Sequence, residues 1–147
     1  MRIGPEHFRK LERMYLGANF NTMIYDTTTI RIAEGKAEIG LAVTDKFHHA
    51  LGGTHGSVYF KMLDDAAFFA VNSIVQDHFV LTTSFNVNFV RPFSEGSVRA
   101  YGEVRFQSSN LFTANATLVD QEGIELAFGT GNFTKSRVEL SEDIGYV

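Results

Sequence analysis

The chain predicts an α+β domain, an antiparallel sheet of about six strands around one long central helix, preceded by a short helix. Three observations carry that prediction. Apolar and polar residues alternate from Thr27 to Ala33 and from Lys36 to Val43, and the period then becomes helical over residues 56–76. From Val80 the two-residue alternation returns in four long runs: Val80 to Val90, Ser97 to Gln107, Leu111 to Asp120 and Glu125 to Thr134. The separators "RPFSEG", "SSN" and "QEG" are short and rich in turn formers, which favours antiparallel neighbours over crossover connections.

The elements follow in order. Pro5 opens "EHFRKLERMYLGAN", which sets Phe8, Leu11, Met14 and Tyr15 at helical spacing and offers Gly17 as a stop. The two alternating runs around Glu34-Gly35 read as a hairpin. A polar loop, "HHALGGTHGS", leads into the central helix. After the fourth late strand the segment from Lys135 to Val147 reads as a loosely attached end. With no repeat or linker, residues 1–147 make a single domain with its core at about residues 30–134. One helix covers one face of such a sheet, so the other is solvated, pairs with a second subunit or meets the opening helix.

Composition narrows the chemistry. The chain has 147 residues, no cysteine, no tryptophan and 14 phenylalanines, with 44% hydrophobic residues. At this length a folded monomer hides roughly 70% of the surface of its unfolded chain, so a core needs no disulfide or metal. Thiol nucleophiles and cysteine-bound metals are excluded, leaving oxygen and nitrogen groups for any covalent chemistry. Thirteen basic residues against 17 acidic give a net charge of −4, and the basic residues are scattered, which argues against nucleic acid as a partner. The charged amino terminus does not read as a signal peptide, and no window approaches the ~18 apolar residues of a membrane span, so a cytoplasmic protein without a membrane partner is expected. There is no G-x-S-x-G elbow, "EGKAE" is no phosphate loop, and "GTGNFT" lacks the context of a dinucleotide fingerprint.

The central helix holds the candidate chemistry. On a helical wheel Tyr59, Leu63, Ala66, Ala67, Ala70 and Ile74 form the stripe that faces the sheet, and Lys61, Asp65 and Asn72 fall on the opposite, polar side. Asp65 there can pair with Lys61 one turn earlier. Asp64 lies elsewhere, about 100° from the apolar centre, between Phe60 and Val71 on one side and Ser57 and Phe68 on the other. A carboxylate flanked by phenylalanines is locally costly, although many such residues merely mark a wet helix margin. The glycine-rich helix start offers unpaired N–H groups and a positive dipole end to a polarised carbonyl. His48, His49 and His55 flank that point. Donors, a carboxylate and imidazoles together suit attack on a carbonyl, whereas no recognisable metal-ligand spacing is present and no metal is expected.

These residues resemble a family. "GGTHGSVYFKMLDDAA" and "TTSFNVNFVRPFSEGSVRAYGEV", with the order of elements, are similar to the hot-dog-fold acyl-CoA thioesterases, in particular the PaaI-like branch of the 4-hydroxybenzoyl-CoA thioesterase superfamily, over roughly residues 30–134. The most specific match is to the family's H-G-G at the helix start with L-x-D-x-A following: here His55-Gly56-Ser57, with serine for the second glycine, and Met62-Leu63-Asp64-Asp65-Ala66, with methionine for leucine, His55 and Asp64 being nine positions apart as in the family. The resemblance implies a hot-dog fold. It assigns Asp64 as nucleophile or general base, the amide at Ser57 as oxyanion donor, His49 where the family often has asparagine or glutamine, and Thr82 as a contact of the nucleophile or water. His55, Gly56, Thr83, Arg91 and Ser109 are implied as substrate contacts.

The implied reaction is hydrolysis of an acyl-CoA, with CoA as part of the substrate, no cofactor, and a dimer or dimer of dimers whose active site forms between subunits. Two alternatives stay open: a non-catalytic acyl-CoA-binding or regulatory module, and an enoyl-thioester hydratase or dehydratase. Phe60, Phe68, Phe69, Phe85 and Phe89 are candidates both for an acyl pocket and for core or interface packing.

Overall fold

A computed structural model describes residues 2–147. Helix α1 (Pro5–Gly17) and a short α2 (Asn19–Met23) precede strands β1 (Thr29–Ala33) and β2 (Lys36–Val43); α3 (Gly56–Ser73) follows, then β3 (His78–Phe89), β4 (Gly96–Gln107), β5 (Phe112–Asp120) and β6 (Glu125–Glu139). The strands form one antiparallel sheet in the order β1-β2-β4-β5-β6-β3. Helix α3 packs against all six strands, which is the hot-dog arrangement. Small residues make that contact close: Ala66, Ala67 and Ala70 are fully buried. At Gly102 of β4 a Cβ would stand 2.1 Å from the Ala66 carbonyl oxygen, so only glycine lets the helix backbone lie so near the sheet.

Strand β3 carries a bulge. Its pairing with β6 shifts between Thr82 and Ser84, so Thr83 is an extra residue. Before the shift Val80 and Thr82 sit on the helix side; beyond it that side is taken by Phe85, Val87 and Phe89, paired with Gly131, Gly129 and Ala127. The Phe85 ring lies where a Cβ on Gly131 would be, at 2.4 Å, which gives "GTGNFT" a packing role.

Three expectations are corrected. The end of the chain is not loosely attached: β6 runs on to Glu139 and pairs with β3, Leu140 donates to the Asp77 carbonyl at 3.0 Å, and Arg13 Nε donates to the Val147 carbonyl at 2.8 Å. The polar side of α3 is not open to water, because α1 and α2 lie over Lys61, Asp65 and Asn72. Helix α3 stops at Ser73 instead of continuing to residue 76. The last two share a cause in Asn72.

Asn72 is fully buried; its amide nitrogen donates to the carbonyls of Val75 and His78 at 3.1 and 3.0 Å, and its Oδ1 accepts from the Val80 amide at 3.2 Å. It thereby folds the chain out of the helix and into β3. The Asn72 carbonyl in turn accepts from His7 Nε2 of α1 at 2.9 Å. Burial lowers the pKa of His7 and keeps the ring neutral, so with Nε2–H committed its Nδ1 accepts from the Tyr146 hydroxyl at 2.7 Å. Asn72→Ala strands several buried backbone groups at once and should cost about 2–4 kcal/mol in urea unfolding; an unchanged midpoint would refute that account.

Candidate active site

Asp64 lies on the flank of α3 facing β3, half buried among aromatic side chains. Its Oδ1 accepts a hydrogen bond from Thr82 Oγ1 at 2.9 Å. Burial raises its pKa to about 6, the Thr82 hydroxyl working against the rise. Asp64 and Thr82 line a cavity of about 620 Å³ whose other walls are chiefly apolar, among them Phe68 and Phe69 of α3 and Phe79 and Leu81 of β3. A carboxylate that titrates near pH 6, at the head of an apolar cavity, suits proton transfer or attack on a carbonyl.

The neighbouring aspartate has different surroundings. Asp65 Oδ2 accepts from Lys61 Nζ at 2.6 Å and from the Tyr15 hydroxyl at 2.7 Å. Lys61 also donates to Asn21 Oδ1 at 2.8 Å and lies over the Tyr25 ring at 4.3 Å. Burial and the Asp65 charge push the Tyr15 phenol far above its ordinary pKa, so it serves as a fixed donor. The i,i+4 spacing signals the Lys61–Asp65 pair, but nothing local signals Tyr15, fifty residues earlier.

At the start of α3, His55 is the N-cap. Its Nδ1 accepts from the Ser57 amide at 3.0 Å and lies 2.8 Å from the Ser57 hydroxyl. The Ser57 amide is therefore engaged within its own chain, which removes the open donor expected there. Val58 donates to the His55 carbonyl, whereas the Gly56 amide makes no hydrogen bond among the described residues. Gly56 opens onto a groove of about 330 Å³ together with His49, Tyr59, Phe89 and Arg91. The available donor at this helix end is Gly56.

The three histidines do not converge. His48 Nε2 bonds the Ser94 carbonyl at 2.9 Å, His49 Nδ1 accepts from the Leu51 amide at 3.1 Å, and His55 caps α3. Among the described residues no group of three or more acidic or histidine side chains could hold a metal ion. Arg91 borders the groove but donates to the Glu125 carbonyl at 2.6 Å. Thr83, the bulge residue, donates away from the site to the Asn132 carbonyl, so only one of the two threonines reaches Asp64. Ser109 occupies the turn between β4 and β5, exposed and outside both depressions.

Of the five phenylalanines proposed for an acyl pocket, Phe68 and Phe69 line the larger cavity. Phe60 instead meets Phe85 edge to face with centroids 5.7 Å apart, and Phe89 lies tilted against Tyr59 at 5.6 Å. Sequence reasoning missed Met14, Tyr15, Val138 and Ile144, which line the same cavity from both ends of the chain.

The family model of the thioesterase superfamily matches residues 51–127. No curated protein matches the chain significantly. Solved structures do. The Escherichia coli PaaI protein from the phenylacetic acid degradation operon is 21% identical, with a TM-score of 0.82 over 92% of this chain and 97% of that one. A phenylacetic acid degradation-related protein from Ralstonia eutropha is 23% identical, with a TM-score of 0.75 over 87% and 98%. A conserved protein from Pseudomonas aeruginosa is 20% identical, with a TM-score of 0.76 over 84% and 98%. No helix among the described residues is long and apolar enough to cross a membrane.

Proposed function

The chain belongs to the thioesterase superfamily, and from that premise we propose that it hydrolyses an acyl-CoA to the free acid and CoA in the cytosol, with Asp64 as general base. The observation that carries this reading is Asp64 itself, a desolvated carboxylate with a pKa of about 6, fixed by Thr82 at the head of an apolar cavity. Asp64 takes a proton from water as the water oxygen bonds to the thioester carbon. The carbonyl oxygen becomes an oxyanion that accepts from the Gly56 amide. The C–S bond then breaks, and the thiolate leaves with the proton that Asp64 had taken. Water is the acyl acceptor, and CoA enters only as part of the substrate.

One chain does not supply both groups to one carbonyl in an obvious way. Asp64 and Gly56 are eight residues apart on α3, about 12 Å along its axis, and they open onto different depressions. A second subunit reconciles them. Strand β3 ends the sheet with an unpaired edge, and Phe60 and Phe89 beside it are 41% and 59% exposed. Antiparallel pairing of two β3 edges joins the sheets, covers these rings and brings the Gly56 end of one α3 toward Asp64 of the other.

The test is thiol release from a panel of acyl-CoAs across pH. Because the ionised form of Asp64 is the active base, kcat/KM should rise with pH through about 6 and level off above it. Thr82→Val removes the hydroxyl that favours the carboxylate, so its midpoint should move to higher pH. No thiol release from any acyl-CoA, with saturable binding retained, would replace hydrolysis with a binding role.

A further inference from the structure

The cavity at Asp64 is only partly built by the segment that matches the family model. Helix α3 and strand β3, within residues 51–127, supply part of it; the rest includes Met14 and Tyr15 of α1 together with Val138, on β6 beside β3, and Ile144. These two terminal segments are fastened to each other and to α3. His7 and Tyr146 are bonded at 2.7 Å, and Arg13 Nε holds the Val147 carbonyl at 2.8 Å. Gly145, at φ 90°, lies with its Cβ position 3.5 Å from the Met14 Cα, a close approach in a left-handed conformation that suits glycine. Tyr15 is pinned by Asp65, whose charge Lys61 neutralises; this gives the second aspartate of the pair a task that the proposed hydrolysis leaves unassigned.

The polarity and depth of the cavity follow from the same residues. Among the described residues its lining has no cation, and its ionisable carboxylates are Asp64 and Asp65. Because Lys61 compensates Asp65, a second acidic group on the acyl chain would enter a space that holds the Asp64 carboxylate and no cation to pair with it. Val138 precedes Glu139, which pairs with His78, so it lies beside Phe79, three residues from Thr82 along β3, or about 10 Å from the site of attack.

Resting on the thioesterase reading above, we propose that the terminal segments set acyl selectivity: the site takes an uncharged, apolar acyl group of limited length, whose far end meets Val138 and Ile144, with Asp65 acting through Tyr15 to position that wall. Extra methylenes in a pocket alter kcat/KM by about 10–200-fold. The experiment measures kcat/KM for straight-chain acyl-CoAs from acetyl to palmitoyl, with succinyl-CoA as the charged member. In parallel it measures affinities for the non-hydrolysable thioether analogues by calorimetry.

Ile144→Ala should extend the profile, raising the ratio of the first rejected longer chain to the best chain by about 10-fold or more. Ile144→Trp should shorten the profile. Val138→Ala gives a second enlargement from a different segment, should an Ile144 variant fail to fold. Tyr15→Phe keeps the ring but cuts the bond to Asp65, and should flatten the profile through KM; an equal loss of kcat on every chain would remove Asp65 from the proposal. Wild-type turnover with the same length profile in all variants would overturn the inference and leave hydrolysis standing. Absent turnover with thioether affinities that shift as described would overturn hydrolysis and leave the pocket standing. Neither turnover nor binding would overturn both, and so would rapid succinyl-CoA turnover overturn the claim on charge.

Discussion

An Asp64→Asn variant is expected to fold and to release thiol about 10²–10⁴-fold more slowly than the wild type. Asparagine has nearly the same shape and can still accept the Thr82 hydroxyl, so the flank of α3 is preserved, but an amide takes no proton from water. Stability supplies an independent check. The folded state holds the Asp64 proton more tightly than the unfolded state, with a pKa of about 6 against 3.8. Between those values the folded chain binds more protons, so stability falls as pH rises through the window, and the full penalty applies above about 6. The shift corresponds to roughly 2–3 kcal/mol. Asp64→Asn should therefore melt higher than wild type at neutral pH, and the difference should shrink toward pH 4. Lost activity together with lost stability would point to a structural carboxylate, and retained activity to no role in the chemistry.

Gly56→Pro is expected to lower kcat by about 10²–10³-fold, the effect of deleting one oxyanion donor. Gly56 is the first residue of α3, where proline is well tolerated and its missing N–H interrupts no bond within the chain. His55 before it has φ −61° and ψ 141°, a conformation compatible with a following proline. The substitution thus removes the donor and little else. A Cβ at this position meets the Phe89 ring at 3.3 Å, so Gly56→Ala, which keeps the N–H, controls for crowding and should retain most activity.

The two inactive variants also test whether the site is shared. Asp64→Asn and Gly56→Pro subunits mixed in equal parts and allowed to exchange should regain about a quarter of wild-type activity, since half the dimers are mixed and each keeps one intact site. If both groups served one subunit's own site, every subunit would carry a defect and mixing would restore nothing.

The sheet and its helix were legible because their patterns are local. Alternation marks β1 to β6 and a 3.6-residue period marks α1 and α3 within a residue or two at most ends. What local pattern misses is burial contributed from afar. "KSRVEL" reads as the start of a loosely attached end, yet β3 lends it a pairing partner from more than fifty residues upstream. Asn72 and Asp65 read as a wet helix face until α1 covers them. Helix α2, with five residues, is too short to show a period.

At the site, Asp64 was legible from its cost among phenylalanines, and Thr82 only through the family pattern. Cap chemistry was the weak point. Histidine is an uncommon N-cap, and its use of the Ser57 amide transfers the open donor by one residue, to Gly56. Several residues that line the cavity with Asp64 come from the two ends of the chain, and no short stretch announces that they meet.

The extra residue in β3 lets one strand serve two masters. At Val80 and Thr82, just before Thr83, the inward positions are even-numbered and include the hydroxyl at Asp64; beyond it they are odd-numbered and carry the rings next to the exposed edge. Deleting Thr83 would merge the two reading frames and force one half to turn its side chains outward. Because the bulge uncouples them, substitutions along the exposed edge need not disturb the contact between Thr82 and Asp64, and the two surfaces are free to diverge separately.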